Sequence, residues 1–388
     1  VHFRATYTDT AKVGQTDFYL FLNPEQYDWT ENEIHISIGA TGRLGFSDNS
    51  TYQGIGWRRG EGPNQLLETF FNPMGFWLGT SNQVMNQTLS APFTGCCPLT
   101  TQNHFTATQP IFTEKVDGFG LRRVVSTFTD NLQNHWSIER RAYGDTLNWL
   151  KGILILEHQI QNISNQMAGP VYMGYFADQD MPDTNFSRAN NEAGYYANGK
   201  MGWQRNANSG IVQGLVLLQP GPTHYYALES TGTGGSIQTT NGFTDAEKWT
   251  LMQGGIARAY SPPGDASQYL GGSIDSIRPG SCAIFNYAIL SAVSLTQAQQ
   301  MADSLMQTYQ KTTNVWTGKA LTDNWHDPVN WSQNRVPDEK DRVYIVPSLY
   351  TIGTDPVVHS GNAKAGMIET RCAGKLTVQT PWLLEVGP

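Results

Sequence analysis

Short runs of apolar or alternating residues recur along most of the chain, and clusters of Gly, Asn and Pro separate them. In the run 33–38, Ile34, Ile36 and Ile38 alternate with polar side chains, which is the two-residue period of a half-buried strand. Comparable runs are 17–22, 121–127, 136–142, 152–160, 171–177, 211–218, 224–228 and 282–290. Many short strands at close spacing predict a mainly β protein built around a large antiparallel β-sandwich.

Two segments carry helical patterns instead. Thr244 and Glu247 have the spacing of a capping box, in which each side chain satisfies a free backbone amide at the start of a short helix. A longer helix is predicted over about 295–310, after Ser294, with Gln297 as the second member of its capping box. Its apolar residues share one face, which predicts packing against a sheet, with the binding of a partner protein as the alternative. They are Leu295, Ala298, Met301, Ala302, Leu305, Met306 and Tyr309.

Composition and charge favour a folded, exported protein. The 388 residues include 39 glycines, 11 tryptophans and 17 tyrosines, whereas only 15% are charged. The net charge of −8 and the lack of any run of Lys or Arg argue against nucleic acid as a partner, because nucleic-acid binding needs a basic surface. No apolar stretch is long enough to span a membrane. We therefore expect an extracellular or cell-surface protein whose signal peptide has already been removed.

The four cysteines are Cys96, Cys97, Cys282 and Cys372, and none belongs to a C-x-x-C motif of the kind that binds zinc. Neighbouring residues of a strand point to opposite faces, so Cys96 and Cys97 favour two separate partners, with Cys282 and Cys372 as the candidates. One or two disulfides are expected in an exported protein, and four free thiols are the alternative.

The character of the chain changes near Thr313, where we place a domain boundary. The prediction is a β-sandwich domain over 1–312 and a small Trp-rich β module over 313–388. The module contains Trp316-Thr317-Gly318, Asp323-Asn324-Trp325, Asn330-Trp331-Ser332, Val336-Pro337 and Asp341-Arg342-Val343-Tyr344-Ile345.

These motifs, over 316–346, resemble the W-x-G…N-W-S…V-P…D-x-V-x-I segment of large secreted surface proteins of Bacteroidetes and their relatives. In such proteins the segment often opens a stack of short β-rungs. The resemblance implies a rung stack in this chain as well, and the segments 366–368 and 375–378 have the pattern of further rungs.

The larger domain has a fainter likeness, over about 30–310, to poorly characterised secreted β-sandwich proteins of the same phyla, many of which leave the cell through the type IX system. The segments 41–58, 159–180 and 241–249 carry this likeness. No activity is attached to it. Type IX substrates usually end in a sorting domain that is not recognisable here, so we expect a chain that was cleaved, truncated or exported by another route.

No motif of a catalytic site is found. The chain lacks G-x-S-x-G and H-E-x-x-H, and its eight histidines are scattered. We therefore interpret the protein as non-catalytic. The run Glu139-Arg140-Arg141 is interpreted as a solvated sheet face with cross-strand ion pairs, and a sugar or anion contact is the alternative.

Asp178, Asp180 and Asp183 form the candidate metal site, where a predicted strand enters a polar loop. Alternate positions place Asp178 and Asp180 on the same side, and carboxylate oxygens are the ligands that Ca²⁺ prefers. The loop lacks the Gly and the distal Glu of an EF-hand. A turn whose carboxylates cap backbone amides, and a glycosidase-like acid pair, are the alternatives. No cofactor other than Ca²⁺ is expected.

The leading functional hypothesis is a structural or adhesive protein, such as a self-assembling surface or filament subunit. Strand patterns at 1–8 and 375–386 offer edges for pairing between copies of the chain. The alternative is a carbohydrate-binding module or an accessory domain of an extracellular hydrolase. The expected partners are accordingly further copies of the chain, or glycans.

Overall fold

A computed structural model of the chain describes residues 2–9, 12–19, 26–29, 32–45, 55–59, 66–70, 74–81, 83–86, 103–116, 121–144, 152–179, 181, 190–239, 243–349 and 355–387. Residues 2–312 of this set form the part that we call the sandwich, and residues 313–387 form the part that we call the parallel unit.

The sandwich is built from short strands and two helices. Its strands are β1 (His2–Asp9), β2 (Lys12–Tyr19), β3 (Gln26–Trp29), β4 (Ile34–Gly39), β5 (Ile55–Arg59), β6 (Leu66–Phe70), β7 (Met74–Thr80), β8 (Gln83–Asn86), β9 (Phe105–Ala107), β10 (Phe112–Val116), β11 (Leu121–Asp130), β12 (Trp136–Tyr143), β13 (Ile153–Asn162), β14 (Val171–Ala177), β15 (Asn191–Tyr196), β16 (Met201–Asn206), β17 (Val212–Leu217), β18 (Thr223–Glu229), β19 (Ile256–Arg258), β20 (Tyr260–Gly264), β21 (Ala266–Ile274) and β22 (Cys282–Ala292). Its helices are α1 (Asp245–Gln253) and α2 (Leu295–Thr312).

Two large, mostly antiparallel sheets result. The larger has the order β10-β11-β12-β13-β22-β17-β16-β15-β20, with β9 paired to β11, and the smaller has the order β19-β18-β21-β14-β7-β8. Leu44 bridges Ile38 of β4 and Met74 of β7, so the ribbon β3-β4-β5-β6 continues the smaller sheet. The predicted mainly β, antiparallel sandwich is confirmed. Strand β1 pairs with β2, and its pairing with a second chain stays a prediction.

The main core lies between the two sheets. Phe76 and Tyr175 of the smaller sheet and Phe128 and Tyr287 of the larger sheet are fully buried there. The rings of Phe76 and Phe128 meet edge to face with centroids 5.5 Å apart, and Tyr287 donates a hydrogen bond to the carbonyl of Met173 across the core. The two-residue period of the strands sends one side of each sheet into this layer.

The two helices cover the outer faces of the sheets. Helix α1 begins with the predicted capping box, because Thr244 and Glu247 each accept the other's backbone amide. At the start of α2, Ser294 caps the amide of Gln297, whereas the Gln297 side chain accepts from the amide of Val293. The predicted apolar face of α2 does pack on the larger sheet, with its central residues buried. Neither helix has the length and hydrophobicity to cross a bilayer.

The parallel unit consists of short rungs. Its strands are β23 (Thr313–Val315), β24 (Arg342–Ile345), β25 (Val357–Val358), β26 (Ala363–Ala365), β27 (Met367–Thr370), β28 (Thr377–Val378) and β29 (Leu384–Val386). They pair in parallel as β23-β24-β27, β25-β28 and β26-β29. Trp316, Trp325 and Trp331 fill the core of this unit. Strands therefore occur at both segments expected to be rungs, and the domain boundary near Thr313 stays a prediction.

Candidate functional site

The carboxylates of the candidate calcium site are only partly described. Asp178 is half-buried directly after β14, whereas Asp180 and Asp183 lie outside the described residues. Among the residues that the structure describes, no group of three or more His, Cys, Asp or Glu side chains is arranged to hold a metal ion. The calcium site therefore stays a prediction.

A disulfide joins Cys282, the first residue of β22, to Cys372 in the parallel unit, with their Cα atoms 6.2 Å apart. This pairing differs from the expectation that these two cysteines are the partners of Cys96 and Cys97, which lie outside the described residues. The bond fixes the start of β22 to the turn that follows β27 in the parallel unit.

Strand β12 divides the predicted charged run between its two faces. Arg140 is fully buried and donates hydrogen bonds to the carbonyls of Gly42, at 2.8 Å, and Gly39, at 2.5 Å. Glu139 and Arg141 point the other way and pair with each other at 2.6 Å. The solvated face is wrong, because the central arginine enters the core and the parallel unit covers the other two residues. The predicted cross-strand ion pair is present, between Arg141 and Glu157 at 3.7 Å.

An ionic cluster holds the parallel unit against this face of the larger sheet. Glu157 of β13 is buried and lies 3.0 Å from Arg371 and 3.5 Å from Arg342. Glu369 pairs with Arg342 at 2.5 Å, with Arg141 at 3.3 Å, and with Arg371. A buried charge without a partner is strongly destabilising, and in this cluster each carboxylate is paired with guanidinium groups.

A cleft with a volume of about 330 Å³ opens where the two parts meet, and we call it the junction cleft. Its walls come from segments far apart in the chain: 219–222, 273–275, 282–285, 315–319, 331–334 and 346–349. Tyr309 of α2 completes the lining. Ligand sites commonly lie at such boundaries between structural units.

One part of the sandwich side of the cleft is the loop 219–222, which its sequence makes rigid. Pro220 and Pro222 restrict the backbone on both sides of Gly221, which has a φ of +104°. The ammonium group of Lys200 donates to the carbonyls of Gln219 and Gly221 at 3.0 Å each. Burial lowers the pKa of Lys200. The loop is thus held in place without a ligand.

The floor of the cleft is apolar and aromatic. Phe285 is buried, and the rings of Trp316 and Trp331 meet edge to face with centroids 5.0 Å apart. Tyr309 is half-buried, and its hydroxyl accepts a hydrogen bond of 2.8 Å from the side chain of Asn286. Burial raises the pKa of Tyr309, so its ring remains neutral at physiological pH.

Polar groups surround this floor. Lys319, Asp275 and Asn334 are exposed at the rim, and Ser273 is half-buried. The side-chain oxygen of Gln219 is buried and has no hydrogen-bond donor among the described residues. The sequence motif that contains Trp316 and Trp331 predicts no site there, because the facing wall comes from distant segments.

The chain matches no protein-family model and no curated protein. Among solved structures it resembles a heparan sulfate lyase from Pedobacter heparinus, with 8% identity over 71% of this chain and 36% of the lyase, at a TM-score of 0.33. A protein from the human microbiome assigned as a kojibiose phosphorylase shares 8% identity over 78% of this chain and 39% of the phosphorylase, at a TM-score of 0.34. A candidate aldose 1-epimerase from Klebsiella pneumoniae shares 7% identity over 80% of this chain and 92% of the epimerase, at a TM-score of 0.32. The chain thus spans little more than a third of the lyase and of the phosphorylase.

These matches correct one interpretation of the sequence. The chain was expected to be non-catalytic, yet the proteins that its fold resembles are named as enzymes, so that interpretation is contradicted. Their names refer to saccharides. At these identities and TM-scores the likeness assigns no activity or substrate to this chain. The resemblance of residues 316–346 to secreted surface proteins is not touched by these matches and stays a prediction.

Proposed function

We propose that the chain is a carbohydrate-recognition unit of an extracellular carbohydrate-active protein, and that the junction cleft is its binding site. The observation that carries the proposal is the composition of the cleft, whose lining combines apolar side chains and the half-buried ring of Tyr309 with a polar rim.

A saccharide fits this composition. A pyranose ring has an apolar face of C–H groups that packs on aromatic rings, and it carries hydroxyls that both donate and accept hydrogen bonds. Tyr309 offers a half-buried ring whose position is fixed by Asn286. The buried oxygen of Gln219 lies in the wall and lacks a donor, and a sugar hydroxyl is a suitable donor.

The charge of the cleft favours a neutral or weakly charged saccharide. Lys319 and Asp275 are the charged residues in the described lining, and their charges balance. A polyanion needs several basic groups for tight binding. The net charge of −8 also disfavours the binding of a polyanion, because like charges repel.

Two observations support a location outside the cell. Disulfides persist in oxidising compartments, and this chain has one between Cys282 and Cys372. Its surface relies on uncharged polar residues, since only 15% of the chain is charged. Mass spectrometry of protein isolated from the native host under thiol-blocking conditions tests this location, because an exported chain carries the bond quantitatively and a cytosolic one does not.

The function is tested by applying the oxidised full-length protein to a glycan array and titrating the best ligands by calorimetry. Lys319→Ala and Asn334→Gly each remove a rim group, and glycine suits position 334 because its φ is +51°. Each change is expected to weaken binding about fivefold, the effect of one lost hydrogen bond. Lys364→Ala, at an exposed position outside the cleft lining, is the matched control.

The same incubations, followed for new reducing ends and for ultraviolet absorbance of unsaturated products, report turnover of any bound glycan. An array on which a known carbohydrate-binding module binds and this chain does not would contradict the proposal. Equal affinities for Lys319→Ala, Asn334→Gly and Lys364→Ala would place the site elsewhere.

A further inference from the structure

A second cavity, with a volume of about 210 Å³, lies at one end of the sandwich, and we call it the loop pocket. Three connections meet there: the β7–β8 turn, the β11–β12 loop and the β13–β14 loop. The lining of the loop pocket shares no residue with that of the junction cleft.

The β11–β12 loop is held by one buried carboxylate. Asp130 is fully buried, and its two oxygens accept the backbone amides of four successive residues. These are Gln133 at 2.7 Å, Asn134 at 2.9 Å, His135 at 2.8 Å and Trp136 at 2.8 Å. The loop is therefore rigid before any ligand arrives.

A buried amide holds the β13–β14 loop in the same way. The side-chain nitrogen of Asn162 donates to the carbonyls of Gln166, at 2.8 Å, and Ile277, at 2.9 Å. Its oxygen accepts the backbone amide of Ser164 at 3.0 Å. Both loops thus present their outer side chains from fixed backbones, which lowers the entropic cost of binding.

The wall of the loop pocket is polar but carries no Lys, Arg, Asp or Glu among its described residues. Gln83, Gln133, Ser164 and Gln166 supply amides and a hydroxyl. The side chains of Gln133 and Gln83 are hydrogen-bonded to each other, so they form one paired edge of the wall. Groups of this kind recognise neutral, hydroxylated ligands.

Trp136 belongs to the lining of the loop pocket and has a polar group without a partner in the described part of the chain. Trp136 is 1% exposed, and its indole N–H is buried with no acceptor among the described residues. An unsatisfied buried donor costs about 1–3 kcal/mol, so buried indole nitrogens usually have an acceptor. An oxygen atom bound in the loop pocket would supply it.

We propose that the loop pocket is a second saccharide-binding site, which takes one neutral sugar unit, with an oxygen of the sugar accepting from the Trp136 indole. The choice of a sugar rests on the proposed function, whereas the position and the lining do not. The paired amides of Gln83 and Gln133 then bind further hydroxyls of the same sugar.

The test is nuclear magnetic resonance of the oxidised full-length protein with ¹⁵N-labelled tryptophan. The Trp136 indole peak is assigned by triple-resonance spectra, or by its loss in Trp136→Phe if that variant folds. The probes are the methyl glycosides of glucose, galactose and mannose, N-acetylglucosamine and glucuronate, each raised to high millimolar concentration. At least one neutral sugar is expected to shift the Trp136 indole peak in a saturable way.

Two comparisons sharpen the result. Gln133→Ala should weaken that sugar about fivefold, whereas Gln300→Ala, an exposed glutamine on α2, should leave its affinity unchanged. Glucuronate, measured at about pH 8 so that His135 in the lining is uncharged, should bind about tenfold more weakly than the neutral sugars, because the described wall has no Lys or Arg to pair with its carboxylate. A Trp136 peak that no sugar moves, or a shift that ignores Gln133→Ala, overturns the proposal.

The outcomes separate this proposal from the proposed function. Glycan binding that is weakened by Lys319→Ala but leaves the Trp136 indole unmoved overturns the loop pocket and keeps the junction cleft. A Trp136 shift that responds to Gln133→Ala, together with glycan binding that Lys319→Ala and Asn334→Gly leave unchanged, supports the loop pocket and overturns the cleft assignment. Absence of both effects overturns both.

Discussion

At the residue scale, Glu157 joins the two parts of the molecule. It belongs to β13 of the sandwich, and it accepts hydrogen bonds from Arg371, at 3.0 Å, and from the hydroxyl of Tyr344 in the parallel unit. Burial raises the pKa of Tyr344, which keeps this hydroxyl protonated and available as a donor. One carboxylate thus neutralises a guanidinium and orders a strand of the other unit.

We predict that Glu157→Gln destabilises the protein by about 3 kcal/mol, because it leaves buried guanidinium groups with less opposite charge. Urea unfolding of the variant and the parent measures the loss. Glu385→Gln is the matched control, since Glu385 is exposed and lies 3.8 Å from an exposed Lys364. The control should change stability by less than about 0.5 kcal/mol. Equal stabilities for the two variants would contradict the assigned role of Glu157.

His158, the next residue, faces the opposite side and lies in the main core. Its Nε2 atom lies 2.7 Å from the Tyr175 hydroxyl, and its ring stacks on Phe76 with centroids 5.6 Å apart. Burial, and then the nearby charge of Arg140, hold the pKa of His158 well below its usual value. The ring is therefore neutral in the folded protein at pH values where the unfolded chain binds a proton.

This shift predicts a loss of stability in mild acid. Below a pH of about 6.5 the unfolded chain takes up a proton at His158 that the folded chain does not, so stability falls by up to about 1.4 kcal/mol per pH unit. His158→Gln keeps a hydrogen-bonding side chain but removes this titration. Unfolding measured between about pH 7 and pH 5 should show a shallower pH dependence in the variant. Parallel curves for variant and parent would refute the assignment.

At the element scale, periodicity was sufficient where one face of an element meets a core. The strand predicted over 171–177 has the same ends as β14. The strands predicted over 136–142 and 282–290 correspond to β12 and β22, which are longer by one and two residues. The same rule holds in β12, whose buried and partly exposed residues alternate. Arg140 shares the parity of the buried Ile138 and Ala142, so its inward direction was readable from the sequence.

Helix α2 offers a test of the local signals at its start. The hydroxyl of Ser294 accepts the amide of Gln297 at 3.2 Å, which satisfies one of the free amides of the first turn. Ser294→Ala should cost about 1 kcal/mol of unfolding free energy. Ser304→Ala, at an exposed position inside the same helix, should change stability by less than about 0.5 kcal/mol, since alanine favours helices. Indistinguishable denaturation curves for the two variants would show that the cap does not stabilise the helix.

At the scale of the whole molecule, the candidate sites depend on contacts that no local pattern encodes. The walls of the junction cleft come from positions near 220, 274, 284, 317, 332 and 347, and no periodicity relates them. The loop pocket likewise needs three loops to meet. The pairing of Cys282 with Cys372 was also out of reach, because four cysteines allow several pairings and only the fold brings these two together.

The disulfide should therefore stabilise both the fold and the site. It closes a separation of 90 residues, and a bond of this kind typically contributes about 2–4 kcal/mol by restricting the unfolded chain. It also anchors the parallel unit beside the junction cleft, whose lining includes Cys282 and the Trp316 segment.

Reduction should lower the melting temperature and weaken binding of any cleft ligand, whereas Gln133-dependent binding in the loop pocket should change less. The variant carrying Cys282→Ala and Cys372→Ala should match the reduced parent and should not respond to reductant. A parent protein that melts at the same temperature after reduction, with its thiols verified as free, would show that the ionic cluster and the other contacts between the two parts hold them together without the disulfide.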